Sequence, residues 1–194
     1  MDLIPVGEVD YLLFEKLKAQ AAPRGNPHGR KKNKRYCNAV CAFDIETTTL
    51  PDLEQAIMYI WQFQLGPDLT IYGRTWEEFR NMLRSMEAHL GDDTLVVYDH
   101  NLSYEWQFIK NLIPITSVFA MDKRKVLRVI SDKIEFRCSY LHSNMSLDRY
   151  LKQMDVPDLK VKGFDYDKKR YPWTELTEYE LQYAVNDVIG LVQA

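Results

Sequence analysis

The feature that most constrains this chain is the run Ala39-Val40-Cys41-Ala42-Phe43-Asp44-Ile45-Glu46. Extended backbone sends successive side chains to opposite faces, so Cys41, Phe43 and Ile45 share one face and Val40, Ala42, Asp44 and Glu46 the other. An apolar run of this kind predicts a central strand, with two carboxylates at its end pointing the same way. Two such charges repel, and burying even part of the pair is costly unless a cation neutralises it. Hard oxygen ligands suit Mg²⁺ or Mn²⁺. Acidic pairs flanking an apolar residue are also common on half-exposed strands, so the pair needs support from elsewhere in the chain.

Two further segments offer it. His100-Asn101-Leu102-Ser103-Tyr104-Glu105 follows a buried strand, Thr94 to Tyr98, and opens a helix of about Ser103 to Asn111. There His100 and Asn101 can hydrogen-bond a terminal nucleotide, Tyr104 can stack on a base, and Glu105 can add a carboxylate. Ordinary capping by Ser103, with Glu105 complementing the helix dipole, would explain the same residues. Near the end, Tyr183 and Asp187 stand four apart on a helix whose stripe is Leu181, Ala184, Val185, Val188, Ile189 and Val192. They share one face at the edge of that stripe. A hydroxyl there can orient a water beside a metal-binding Asp187. A tyrosine packed at a helix border next to a solvated aspartate is the plainer alternative.

The remaining pattern is that of one mixed α/β layer domain. Ile57 to Leu65 and Leu69 to Gly73 read as strands that close a small antiparallel meander. Thr75 and Glu78 form a capping box for a helix with the stripe Phe79, Met82, Leu83 and Met86, and Gly91 follows its end. Val126–Ile130 and Ile134–Cys138 flank a turn, Ser146 caps a helix, and Pro157 to Pro172 reads as a loop. Thr177 and Glu180 form a second capping box. Residues 1–35 are expected to be an N-terminal arm, with a short helix near Val9 to Gln20, and a basic Gly/Pro-rich linker. Residues 36–194 are expected to be the domain. No helix stop signal follows Val192, so the chain end at Ala194 reads as an artificial or truncated end, or as a cut from a longer polypeptide.

Composition narrows the function classes. With 46% hydrophobic and 12% aromatic residues, the 194-residue chain can bury a real core. Its apolar runs are far too short for a membrane helix, and its start lacks the pattern of a secretion signal. The net charge of −3 is no global nucleic-acid signature. Basic residues are instead clustered at Arg24 and Arg30–Arg35, and again at Lys123, Arg124, Lys125 and Arg128; the first run would either touch phosphates or form a solvated face. Three cysteines without a framework suggest reduced thiols and a cytoplasmic location. Cys37 and Cys41 lack the second pair that a zinc site needs.

Taken in order, Asp-x-Glu, Asn-x-x-Tyr-acid and Tyr-x-x-x-Asp resemble the DEDD exonuclease superfamily in its tyrosine branch. Gln182 stands where the histidine branch has His. The match is closer to the proofreading domain of protein-primed family-B DNA polymerases of phages and linear plasmids. It is carried by Asp44-Ile45-Glu46-Thr47-Thr48-Thr49, by His100 to Glu105, and by Lys162-Gly163-Phe164-Asp165-Tyr166 ahead of the last motif. The resemblance runs from about Tyr36 to the C-terminus. It implies an RNase H-like mixed β-sheet, an antiparallel meander plus parallel strand, flanked by helices. It also implies a 3′→5′ exonuclease using two divalent metal ions, Mg²⁺ or Mn²⁺, on a single-stranded DNA 3′ end. On that basis Asp44, Glu46, Glu105 and Asp187 would bind metal, Tyr183 would position water, and Lys162 would stabilise the scissile phosphate. Thr47, His100, Asn101, Tyr104 and Tyr166 would hold the DNA. The polymerase domain of such a protein would be a partner on the same chain. Glu105 departs from the family, which usually has Asp there; its extra methylene would shift or weaken the second metal site. An exoribonuclease, or a single-stranded nucleic-acid-binding module whose chemistry has decayed, are the competing expectations.

Overall fold

The structure, a computed structural model, describes residues 2–19, 22–23, 34–123, 125–157 and 163–194. Its strands are β1 (Asp2–Pro5), β2 (Ala22–Pro23), β3 (Arg35–Tyr36), β4 (Cys41–Leu50), β5 (Gln55–Leu65), β6 (Leu69–Gly73), β7 (Asp93–Asp99), β8 (Ser117–Ala120), β9 (Val126–Ser131) and β10 (Ile134–Cys138). Its helices are α1 (Leu13–Ala19), α2 (Trp76–His89), α3 (Leu102–Ile109), α4 (Tyr140–Ser143), α5 (Leu147–Gln153) and α6 (Glu178–Gln193). The sheet runs β1-β6-β5-β4-β7-β10-β9-β8, and the short β3 pairs with both β2 and β7. Strands β4, β5 and β6 form the antiparallel meander, while β7 lies parallel to β4, and β10 parallel to β7.

Alternation along β4 decides the layers. Cys41, Phe43 and Ile45 enter the main core, where Phe43 stacks on Phe79 of α2 with ring centroids 4.7 Å apart. Ala42 turns to the opposite face and packs with Val185, Val188 and Ile189 of α6. Helices therefore cover both faces, α2 and α3 on one and α6 on the other. Both capping boxes form: Thr75 accepts from the Glu78 backbone N–H, and Thr177 from that of Glu180. Each satisfies N–H groups that a helix start would leave orphaned. The stripe Phe79, Met82, Leu83 and Met86 is buried.

Two irregularities shape the region near Asp44. Strands β4 and β7 pair only at Cys41–Val97 and Ala42–Tyr98. Past that point they part and leave a crevice at the carboxyl ends of two parallel strands, a common ligand position in α/β sheets. The β4–β5 register also slips between Glu46 and Thr47: Glu46 faces Ile60, Thr47 faces Met58, and Tyr59 is the extra residue. Tyr59 and Ile60 thus both turn to the α6 face and pack with Ala184. Such bulges concentrate beside active sites.

The structure corrects several expectations. The N-terminal segment does not stand apart from the domain: β1 adds a parallel edge strand to β6, and Phe14 is buried in the main core. Helix α1 starts at Leu13 rather than Val9, because a short 3-10 turn and an Asp10 side chain accepting from the Leu12 N–H occupy the preceding residues. Helix α3 begins at Leu102 with Asn101 as N-cap, so Ser103 does not cap it; the Ser103 hydroxyl accepts from the Val126 N–H instead. Lys34 and Arg35 pair with carboxylates, Lys34 Nζ with Glu135 at 2.6 Å and Arg35 Nε with Asp93 at 2.9 Å. Arg24, the run Arg30–Lys32 and Arg124 lie outside the described residues. Cys37, Cys41 and Cys138 are buried free thiols. Among the described residues, no helix is long and apolar enough to cross a membrane.

Candidate active site

The crevice beyond Ala42 opens into a cavity of about 170 Å³ lined by Asp44, His100, Asn101, Glu105, Asp187 and apolar residues including Phe43 and Leu147. The loop between β7 and α3 turns His100 and Asn101 toward it, the first turn of α3 supplies Glu105, and α6 supplies Asp187. Glu46, one pleat beyond Asp44 on β4, lines a neighbouring cavity of about 230 Å³ with Thr47, Tyr59, Tyr166 and Arg170. Sequence-distant acids thus gather at one end of the sheet. Among the described residues, no three His, Cys, Asp or Glu side chains are drawn tightly enough to cage an ion as they stand.

Their electrostatics are those of acids short of positive charge. Burial raises the Asp44 carboxyl well above its ordinary range, and Glu105, Glu46 and Asp187 push it the same way. Glu46 is pushed up to about 8 by burial and by Asp187, with Arg170 opposing. Glu105 is buried and pushed up to about 7. Its side chain shares a hydrogen bond with the buried Asp99, which opposes that shift. This donor set of hard, charge-starved oxygens fits a divalent cation.

The other residues singled out by the sequence have distinct surroundings. Tyr104 Oη lies 2.7 Å from Thr47 Oγ1, a bond that ties α3 to β4 at the rim. Asn101 makes no side-chain cap bond and borders both the acid-lined cavity and an open groove shared with Tyr104, Gln107 and Lys110. His100 shows the cavity its ring alone: Nδ1 is 2.9 Å from Ser139 Oγ, and Nε2 is 3.1 Å from the Met145 carbonyl. Burial lowers its pKa and favours the neutral ring. Tyr183 Oη lies 2.9 Å from Tyr166 Oη. Burial first, and the Tyr166 bond with it, raise the Tyr183 pKa far above 10, so its phenol stays protonated. Lys162 lies outside the described residues. Gly163, next to it, has φ +86°, a left-handed backbone that suits glycine.

Sequence reasoning missed Asp99. It ends β7 fully buried, and its pKa is raised by burial, by the charge of the adjacent Glu105 and by a side-chain hydrogen bond with it. The signal was present: Leu95, Val97 and Asp99 share one face of a buried strand, so an acid stands in phase with core residues. Arg170 was missed as well, and Phe164 was read only as part of the Lys162–Tyr166 motif, with no role of its own.

A mixed sheet with this parallel and antiparallel order, covered by helices on both faces, is an RNase H-like fold. The solved structures that share it include those of phi29 DNA polymerase. In its orthorhombic crystal form the TM-score is 0.62 at 17% identity, covering 80% of this chain and 30% of that one. In its complex with single-stranded DNA the TM-score is 0.64 at 17% identity, with the same coverage. In its ternary complex with primer-template DNA and incoming nucleotide the TM-score is 0.63 at 16% identity, covering 79% and 29%. The chain therefore spans under a third of the length of the polymerase it superposes on, and the likeness is one of fold. The sequence matches no protein-family model and no curated protein.

Proposed function

We propose that this chain is a metal-dependent 3′→5′ exonuclease that hydrolyses the terminal phosphodiester of single-stranded DNA, as the proofreading unit of a phage-type DNA polymerase. The observation that carries the reading is the convergence of Asp44, Glu105 and Asp187 on one cavity, with Glu46 beside them. The fold shared with phi29 DNA polymerase, a protein solved in complex with single-stranded DNA, supports it.

In this reading Asp44, Glu46, Glu105 and Asp187 hold two divalent ions. Bound there, such ions supply a more acidic water and stabilise charge on the attacking and leaving oxygens. The chain's own groups do the rest. Tyr183, held protonated, orients the attacking water by its hydroxyl. Thr47, Asn101 and Tyr104 hold the terminal nucleotide, with Tyr104 offering its ring to a base. His100 positions the loop that presents Asn101, and Lys162 would meet the negative phosphate.

The test is degradation of 5′-labelled single-stranded DNA with Mg²⁺ or Mn²⁺, beside an RNA of the same sequence. A ladder shortening from the 3′ end, lost on chelation and in Asp44→Ala, is expected. Equal or faster RNA trimming would assign the chain to exoribonucleases, and binding without metal-dependent hydrolysis would assign it to binding modules.

A further inference from the structure

In the segment 163–169 every residue but Phe164 is exposed, and Arg170, which ends it, is buried. Its backbone N–H donates to Thr48 Oγ1 at 3.0 Å, just beyond Glu46 on β4. Its Nε donates to Glu180 Oε1 at 2.8 Å, at the start of α6. Its Nη1 donates to the carbonyls of Asp165 and Lys168 at 2.8 and 3.0 Å, closing the segment into a loop around the guanidinium. A lysine could not reproduce that planar fork.

The same guanidinium lies over the Phe164 ring, 4.3 Å from its centroid. The Tyr183 ring stacks on Phe164 at 3.7 Å and 16°. Two groups that close to one centroid must occupy opposite faces, so Arg170, Phe164 and Tyr183 form a three-layer stack. Tyr166, on the same loop, bonds the Tyr183 hydroxyl at 2.9 Å. The ring plane and the hydroxyl of Tyr183 are thus both set by a loop whose buried anchor is Arg170.

We propose that Arg170 is the positioning residue for Tyr183: it fixes the 163–170 loop against β4 and α6, and through Phe164 and Tyr166 it fixes where the Tyr183 hydroxyl stands. The inference rests on the proposed exonuclease reading for its kinetic consequence, though not for its geometry.

The experiment is a double-mutant cycle on single-stranded DNA hydrolysis, with kcat and KM separated. Arg170→Lys keeps a charge near Glu180, and Phe164→Leu removes the stack while leaving every Arg170 hydrogen bond. Each should lower kcat about 10- to 100-fold, as small misplacements of a reacting group do, with KM within about twofold. In a Tyr183→Phe background each should then change kcat by less than about twofold. An equal loss in both backgrounds would overturn the proposal, because Arg170 would then act independently of Tyr183. Phe164→Leu guards against a folding artefact of Arg170→Lys. If the unsubstituted chain hydrolyses no DNA, the functional reading fails by itself. The positioning claim is then judged by the crystal structure of Arg170→Met: Tyr183 and Tyr166 hydroxyls still 2.9 Å apart, over an unmoved Phe164, would overturn it.

Discussion

Helices α2 and α6 begin alike and serve differently. Both open with a Thr-x-x-Glu box, and both pack an apolar stripe on the sheet. On α2, Glu78 satisfies the Thr75 N–H and the nearby Arg74 N–H, and the helix then meets a dry aromatic cluster of Phe43, Trp61 and Phe79. On α6, Glu180 satisfies the Thr177 N–H and also binds Lys168 and Arg170, which hold its carboxyl at about 2 despite burial. That helix then carries Tyr183 and Asp187 to the acids. One local grammar thus yields a beam in one place and a bearing surface in the other. The difference comes from what the rest of the chain brings to the same carboxylate.

The comparison breaks most visibly at Asp44. Asp44→Ala should reduce the proposed exonuclease rate on the order of 10³-fold or more, while the metal-free protein melts no lower than the parent, since a mutually repelling carboxyl is gone. Melting with labelled-DNA assays on one preparation checks both halves. On the α2 side the expectation is inverted. Phe79→Ala should lose about 3–5 kcal/mol of stability, read by urea unfolding, and should change kcat little wherever the protein remains folded.

Protonation sharpens the contrast. Glu46 is pushed up to about 8 and Glu105 to about 7, from an ordinary 4.5 in the unfolded chain. Between those values the folded chain binds more protons than the unfolded one, so stability falls as pH rises from about 5 to 8. A divalent ion should therefore raise the melting temperature more at pH 8 than at pH 5. An equal effect at both would argue against ion binding at these carboxylates. The smallest effect belongs to the caps. Thr75→Ala and Thr177→Ala should each lose about 1 kcal/mol, but only Thr177→Ala, by loosening Glu180 and its hold on Arg170, should also slow hydrolysis. Matched kcat values for the two variants would erase the distinction drawn between the helices.

Much of this could be read from local pattern. The alternation of Cys41, Phe43 and Ile45 against Ala42 and Asp44 separated the two faces of β4, and the capping boxes marked the starts of α2 and α6, because both signals are contained in a few neighbouring residues. What escaped depends on distant partners. Lys34 and Arg35 read as part of a run that would touch phosphates or form a solvated face, until Glu135 and Asp93, 101 and 58 positions onward, were brought beside them. Arg170 resembled its neighbours Lys168 and Lys169, and only Thr48 and Glu180 make it an anchor. Asp99 fell one residue past the strand that was read, although its phase with Leu95 and Val97 was visible. β1 has no turn or alternation strong enough to announce that it joins β6.

The bulge at Tyr59 has a consequence for how the gene could vary. Deleting Tyr59 would leave Glu46 opposite Ile60 and Thr47 opposite Met58, with Ile60 and Met58 on the faces they occupy now. The pairing register of the sheet survives without that residue. What would vanish is the carbonyl to which Arg74 donates at 2.6 Å and one wall of the cavity beside Glu46. A shortened β5 should therefore keep its register and still fail at the site, which marks Tyr59 as length the ladder can spare and the proposed chemistry cannot.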